Sequence, residues 1–171
     1  MWFILNKSFL TILYRNIVYV LDTCAFLSQK HPDGKLITIP QIELELKNKQ
    51  SLQYFSNLNE IGLEIREPSN ENLDIIKLNA GETGDLAVLS DTDLKILAIA
   101  HETKSTIVSD DFAIQNVALY MNLQYMSCSG KEIKELRKWK YKCSACNFIS
   151  MKKNPECTTC GSNDIFRIKA K

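Results

Sequence analysis

The chain is poor in proline (4), glycine (6), histidine (2) and tryptophan (2) among its 171 residues. So little glycine and proline excludes a collagen-like or low-complexity chain. Two histidines leave little imidazole for acid–base chemistry: His31 falls in a turn and His101 late on a helical stripe, and both read as structural or solvent-facing. No run approaches the roughly 18 uninterrupted apolar residues of a membrane-spanning helix. The apolar start, Met1 to Tyr14, is interrupted by Lys7 and followed by Arg15. It has no basic leader or small-residue cleavage site, so no signal peptide is expected. The expectation is a soluble cytoplasmic protein without a membrane partner. A hydrophobic fraction of 45% supplies the core of one domain, with length left for a small accessory module.

The net charge of +1 conceals an asymmetry. Residues 1–127 carry 10 Lys+Arg and 16 Asp+Glu, whereas residues 128–171 carry 11 and 4. An acidic body suits cations and a basic tail suits a polyanion, although a solvated surface gives the same counts. Cysteine is uneven too. Cys24 and Cys128 stand alone and read as free thiols, while Cys143, Cys146, Cys157 and Cys160 crowd the tail.

Asn16 to Asp22 (NIVYVLD) reads as a buried parallel strand ending in a carboxylate. A helix can begin at Thr23, and His31-Pro32-Asp33-Gly34 is turn chemistry. Thr38 with Pro40 resembles a capped helix start, and Ser51 to Glu60 reads as another helix. Leu63 to Glu67 alternates as a strand, and residues 70–80 are helical until Gly81 and Gly84 break them. Asp85 to Leu89 forms a short element. Ser90-x-x-Asp93 is a capping box opening a helix through His101. Thr106 to Ser109 is a strand, a helix follows Asp110-Asp111 with Ile114, Val117, Ala118 and Met121 on one stripe, and Leu123 to Met126 is a last strand. Alternating strands and helices imply an α/β domain over residues 16–127 with a mainly parallel sheet.

Ligand sites in such sheets form at the carboxyl ends of strands. Asp22 and Asp110-Asp111 occupy those ends, and Glu43 or Glu45 and Asp93 sit early in helices. Four carboxylates in one cleft require hard divalent cations, Mg²⁺ or Mn²⁺, to offset their repulsion. Each also has an ordinary role. Asp93 suits a helix start, Asp110 or Ser109 a cap, and Glu43 and Glu45 are spaced to pair with Lys47 and Lys49. Asp22 is the exception, since a carboxylate closing a buried strand needs a partner.

The ordered set VLDTCAFL (20–27), TIPQIELEL (38–46), LSDTDLKILAIA (89–100) and VSDDFAIQNVA (108–118) resembles the PIN-domain nucleases. The resemblance implies a three-layer α/β nuclease with one or two catalytic Mg²⁺ or Mn²⁺ ions. Asp22 matches the family's first aspartate and Asp93 its third. The family glutamate falls on Glu45, with Glu43 a neighbour that wheel geometry does not separate from it. The last aspartate falls on Asp111, with Asp110 a second candidate. The resemblance also implies water attack on an RNA phosphodiester, giving 5′-phosphate and 3′-hydroxyl ends.

Cys143-x-x-Cys146, ten residues, then Cys157-x-x-Cys160 is the spacing of a structural Cys₄ zinc site. Gly161 and Asn147 follow the two pairs, where such turns need unusual backbone angles. Two redox pairs are the competing reading, without a thioredoxin-like βαβ context to support it. Lys138, Lys140, Lys142, Lys152, Lys153 and Arg167 surround the cysteines, with Trp139, Tyr141, Phe148 and Phe166 interleaved. Cations and rings together suit single-stranded RNA.

A PIN domain followed by a four-cysteine ribbon is similar to the Nob-one family of archaeal type. That likeness implies an endoribonuclease maturing the 3′ end of small-subunit ribosomal RNA, with precursor rRNA and the pre-ribosomal subunit as partners. It sets no oligomeric state. The expected divisions are an extension (1–15), the nuclease domain (16–127), a basic linker (128–141) and the ribbon (142–171). The rivals are a toxin-type PIN ribonuclease acting on tRNA or mRNA, and a non-catalytic RNA-binding assembly factor.

Overall fold

The structure, a computed structural model, describes residues 17–170. The expected extension at residues 1–15 lies outside that range. Five parallel strands form the main sheet: β1 (Val18–Leu21), β2 (Lys35–Thr38), β3 (Glu64–Ile65), β4 (Thr106–Val108) and β5 (Tyr125–Met126). Their spatial order is β3-β2-β1-β4-β5, with Val20 opposite Ile37 on one side and Ile107 on the other. The chain leaves β1 toward β2 and β3, then returns to the other side of β1 for β4 and β5. The reversal falls between β1 and β4, where open α/β sheets place their ligands.

Six helices connect these strands: α1 (Thr23–Ser28), α2 (Pro40–Glu45), α3 (Lys49–Glu60), α4 (Asn70–Thr83), α5 (Asp91–Thr103) and α6 (Phe112–Tyr120). α1 packs on α3, while α4, α5 and α6 pack together with α5 against β1 and β4. This is the expected three-layer α/β architecture. Its core is aliphatic, with Val20, Leu21, Ile37, Ile96, Leu97, Ile99 and Ile107 buried. No described helix is long and apolar enough to cross a membrane.

Several local expectations change. β2 was not foreseen as a strand, and Thr38 ends it instead of capping a helix. Its hydroxyl donates to the Leu21 carbonyl at 2.8 Å, while α2 starts at Pro40 without a side-chain cap. α3 begins earlier than Ser51, where Asn48 accepts the Ser51 N–H. α4 runs through Gly81, and Gly84 ends it in the left-handed region at φ 79°. Asp85 to Leu89 is a turn, and the 63–67 and 123–126 strands shorten to two residues each.

A second, antiparallel sheet orders β7 (Ile149–Ser150), β6 (Trp139–Cys143) and β8 (Ile165–Lys169) as β7-β6-β8. The segment leading to β6 is strapped to α6. Gln115 donates to the Lys131 carbonyl and accepts the Ile133 N–H, while Tyr125 donates to the Ile133 carbonyl. Asn116 accepts the Arg137 N–H and donates to the Arg137 carbonyl, each at 2.7 Å. Gln115 and Asn116 are buried on a helix whose apolar stripe excluded them. Satisfying a non-repetitive backbone is what keeps two amides inside a core.

The two sheets also meet through Asp85, which is 1% exposed. It accepts from Arg167 Nη1 at 3.0 Å and from Asn116 Nδ2 at 2.5 Å. Arg167 lies 4.0 Å from the Trp139 ring centroid, and both Arg167 and Tyr141 donate to the Gly84 carbonyl. A Cβ on Gly84 would stand 3.2 Å from Trp139 Cβ, so glycine serves both the turn and this close approach. Removing one partner of a buried ion pair strands the other charge. Arg167→Ala is expected to lower unfolding free energy by roughly 3–5 kcal/mol. Urea titration checks this, and a loss below about 0.5 kcal/mol, the size of an ordinary surface change, would show the pair to be idle.

Candidate active site and cysteine cluster

β1 delivers Asp22 to the switch point, where it is buried and caps α1. Its Oδ1 accepts the Thr23 N–H at 2.6 Å and its Oδ2 accepts the Ser109 hydroxyl at 2.6 Å. Burial pushes the carboxyl up to about 6; the Ser109 and Thr23 bonds oppose that rise, and the charges of Asp93 and Asp111 add to it. The partner that Asp22 required is therefore Ser109 together with one amide.

Ser109 also accepts the Asp111 N–H at 3.1 Å, so one hydroxyl joins the ends of β1 and β4. Asp111, not Ser109 or Asp110, caps α6, through Oδ1 to the N–H groups of Ala113 and Ile114. Asp110 turns away and accepts from the Ser127 hydroxyl at 2.5 Å and the Ser129 N–H at 3.1 Å. Burial raises its pKa, but these donors outweigh burial and hold it below the usual value.

The expected capping box forms at α5. Ser90 N–H donates to Asp93 Oδ2 at 2.7 Å, and Asp93 N–H donates to the Ser90 hydroxyl. Asp93 is raised chiefly by burial, against its Ser90 bonds and with added repulsion from Asp111 and Glu45. Glu45 ends α2, and its Oε2 accepts the Thr23 hydroxyl at 2.6 Å. Glu43 makes no side-chain hydrogen bond among the described residues, and neither glutamate pairs with Lys47 or Lys49 there. The structure thus brings together Asp22, Glu45, Asp93 and Asp111, and sets Glu43 and Asp110 apart.

Ser109 and Thr23 escaped the sequence reading as site residues. Their signal was present, since Ser109 is the first residue of the S-x-D pattern and Thr23 follows Asp22 directly. The histidines stay outside, with His31 Nδ1 against the Pro32 carbonyl and His101 Nδ1 against Asn72 Oδ1. Cys24 and Cys128 are free thiols with sulfurs 3.5 Å apart.

The donor set fits a hard cation. A carboxylate offers about four lone-pair directions, and Asp22 spends one on each oxygen. Asp93 Oδ1, Asp111 Oδ2 and Glu45 Oε1 accept no hydrogen bond among the described residues. No three carboxylates there gather their oxygens within 4.8 Å of one another. Mg²⁺ keeps several waters and is usually held by one or two carboxylates, so this looser arrangement suits a hydrated ion.

The four tail cysteines are tighter. Their sulfurs all lie within 4.8 Å of one another, with Cys143 and Cys160 at 3.6 Å and Cys146 and Cys157 at 3.5 Å. Asn147 at φ 62° and Gly161 at φ 71° turn the chain back after each pair, donating to the Cys143 and Cys157 carbonyls. Backbone amides lower the Cys143 and Cys157 thiols, Cys146 N–H first for one and Cys160 N–H for the other. Four converging sulfurs with amide support fit one tetrahedral thiolate-bound ion without a vacancy for water. Among the basic residues, Lys138, Lys152 and Lys153 are exposed and Lys140 and Lys142 half-buried, while Arg167 is committed to Asp85.

Residues 19–103 match the family described as the PIN domain of ribonuclease. The chain is 35% identical to Endoribonuclease Nob1 of Pyrococcus abyssi over 84% of this chain and 89% of that protein. It is 33% identical to Ribonuclease VapC1 of Thermoplasma acidophilum over 91% of this chain and 81% of that one. Against the 20S-pre-rRNA D-site endonuclease NOB1 of Saccharomyces cerevisiae it is 35% identical over 60% of this chain and 24% of that protein. Parallel sheet, switch-point acids and four-cysteine ribbon agree with those likenesses, and the chain belongs to the PIN-domain endoribonucleases of the archaeal Nob1 family.

Proposed function

We propose that this endoribonuclease cuts precursor small-subunit ribosomal RNA at its 3′ end, within the pre-ribosomal subunit in the cytoplasm. The reaction depends on one or two Mg²⁺ or Mn²⁺ ions, and one structural Zn²⁺ holds the ribbon. The observation that carries the reading is the meeting of Asp22, Glu45, Asp93 and Asp111 at one switch point. The yeast relative, whose name states a pre-rRNA cut, supports this choice of substrate.

When bound, the divalent ion makes a coordinated water acidic and offsets charge on the scissile phosphate. The protein's part is to hold the acids that face it. Ser109 and the Thr23 N–H fix both oxygens of Asp22, the Thr23 hydroxyl orients Glu45, and helix starts orient Asp93 and Asp111. In the cut a water oxygen would bond to phosphorus as the bond to the 3′-oxygen breaks, the water giving up one proton and the departing 3′-oxygen taking one up, which leaves 5′-phosphate and 3′-hydroxyl ends. The VapC1 relative supports a second reading, a toxin-type cut in tRNA or mRNA.

End-mapping of precursor rRNA and bulk tRNA treated with the purified protein separates these readings. Chelation is expected to abolish cleavage and Mn²⁺ to restore it, with ribbon zinc retained. Asp93→Asn should lower the cleavage rate by about 100-fold or more, because several kcal/mol of charge stabilisation are lost. Glu43→Gln should leave the rate unchanged. Cleavage indifferent to chelation, or confined to tRNA, would overturn the proposal.

Asp22 makes a second prediction, in the protein free of divalent ions. Folded Asp22 takes its proton near pH 6, whereas the ordinary value is 3.8. Between those values the native state holds more protons, so stability falls as pH rises, and the whole cost is present above about pH 6. Asp22→Asn should therefore stabilise the metal-free protein at pH 8 by roughly 2–3 kcal/mol. The advantage should vanish below about pH 3, where aspartate is protonated in both states. Denaturation series at the two pH values test this, and a variant less stable than wild type at pH 8 would refute it.

A further inference from the structure

A cleft of about 430 Å³ opens between the start of α6 and the strap before β6. Asp111 and Phe112 line it from α6, Arg137 and Trp139 from the strap and β6, and Val88 from the turn before α5. Asp111 also faces the acidic group, so the cleft begins beside those carboxylates. Its volume lies at the scale of a pocket for one small ligand.

The lining has an uncommon pairing. Phe112 is 42% exposed and Val88 52% exposed, leaving an apolar surface next to a charged centre. Arg137 places its guanidinium carbon 5.3 Å from the Phe112 ring centroid. That guanidinium pairs with no carboxylate among the described residues, whereas Arg167 in the same cleft is neutralised by Asp85. The Arg137 backbone is meanwhile clamped on both its N–H and its carbonyl by Asn116. An arginine with a fixed backbone and an unpaired head is organised in advance for an anion, and its planar fork matches phosphate. An exposed ring beside it offers a stacking face, which a base can use only when unpaired.

We propose that this cleft is the subsite for one unpaired nucleotide flanking the cleaved bond, its base on Phe112 and its phosphate on Arg137. The inference rests on Asp111 belonging to the nuclease centre. It adds a specificity that the acids cannot supply, since a carboxylate–cation group recognises any phosphodiester. Phe112 and Arg137 would restrict the cut to a strand whose base can leave a helix.

The test is binding, read in an Asp22→Asn protein that does not cut. Fluorescence anisotropy with a short single-stranded RNA spanning the cleavage site gives affinity, and a series with one abasic position each locates the stacked base. Phe112→Ala should weaken binding by about tenfold. One abasic position beside the cut should cost the unmutated Phe112 protein a similar factor and cost the Phe112→Ala protein nothing more. Arg137→Ala should weaken binding by about tenfold and reduce the salt dependence by about one phosphate contact. Arg137→Lys should restore the salt dependence but not the full affinity. The same RNA annealed to its complement should lose all sensitivity to Phe112.

Phe112→Leu keeps apolar volume without a ring and carries the abasic comparison if the alanine variant is poorly folded. An abasic penalty that persists in the ring-less variant overturns the subsite. So does single-strand affinity within about twofold of the parent for both Phe112 and Arg137 variants. Cleavage that survives Asp93→Asn overturns the nuclease centre and with it the subsite's place beside the cut, whereas the binding outcomes above overturn the subsite with the nuclease centre intact.

Discussion

Like charges drawn out of water repel, and the acidic end of this sheet is built around containing that repulsion. Asp22 is buried at the end of β1, with Asp93 and Asp111 near enough to raise its proton affinity. The fold tolerates this because the acids are held by different means. Asp22 takes a hydroxyl and an amide, Asp93 closes a capping box, and Asp111 caps α6. The positive ends of helices thus oppose the charges of the same residues that repel one another. Carboxylates at this density cost stability, and the helix starts and hydroxyls that hold them offset part of that cost.

α6 ties that centre to the rest of the molecule. Its first turn presents Asp111 and Phe112, while one turn later Gln115 and Asn116 hold the strap that leads to the ribbon. Asn116 also donates to Asp85, which receives Arg167 from β8. A buried network of this kind is effective only when each member is satisfied, because the low dielectric that strengthens its bonds also penalises a lone group. The ribbon is therefore fixed against the helix that carries part of the site. Arg167, read from sequence as an RNA contact, is occupied in that fixing. Arg137 has its backbone in the network and its side chain outside it.

The sequence made the acids and cysteines legible because their chemistry is local. A carboxylate after NIVYVL, a Ser90-x-x-Asp93 box and paired C-x-x-C turns each carry meaning within a few residues. β2 was missed because Lys35–Thr38 is short and runs directly into Pro40, whose helix-start signal dominates. Which of Glu43 and Glu45 faces the centre was undecided on a wheel, and the Thr23 hydroxyl selects Glu45. The buried amides of α6 were not readable, because their partners lie in a strap 16 to 21 residues further on. Long-range satisfaction of backbone groups leaves no periodic trace in a sequence.

The charge asymmetry acquires a meaning once the two halves are joined. Residues 1–127 are negative in sum, so the nuclease body by itself repels a polyanion such as RNA. Screening at physiological salt confines that repulsion to about 8 Å and does not remove it inside the cleft. The positive tail, fixed beside α6, supplies charge of the opposite sign next to it. The two signs of charge are thereby carried by different parts of the molecule, the acids by the parallel sheet and its helices and the surplus of cations by the tail.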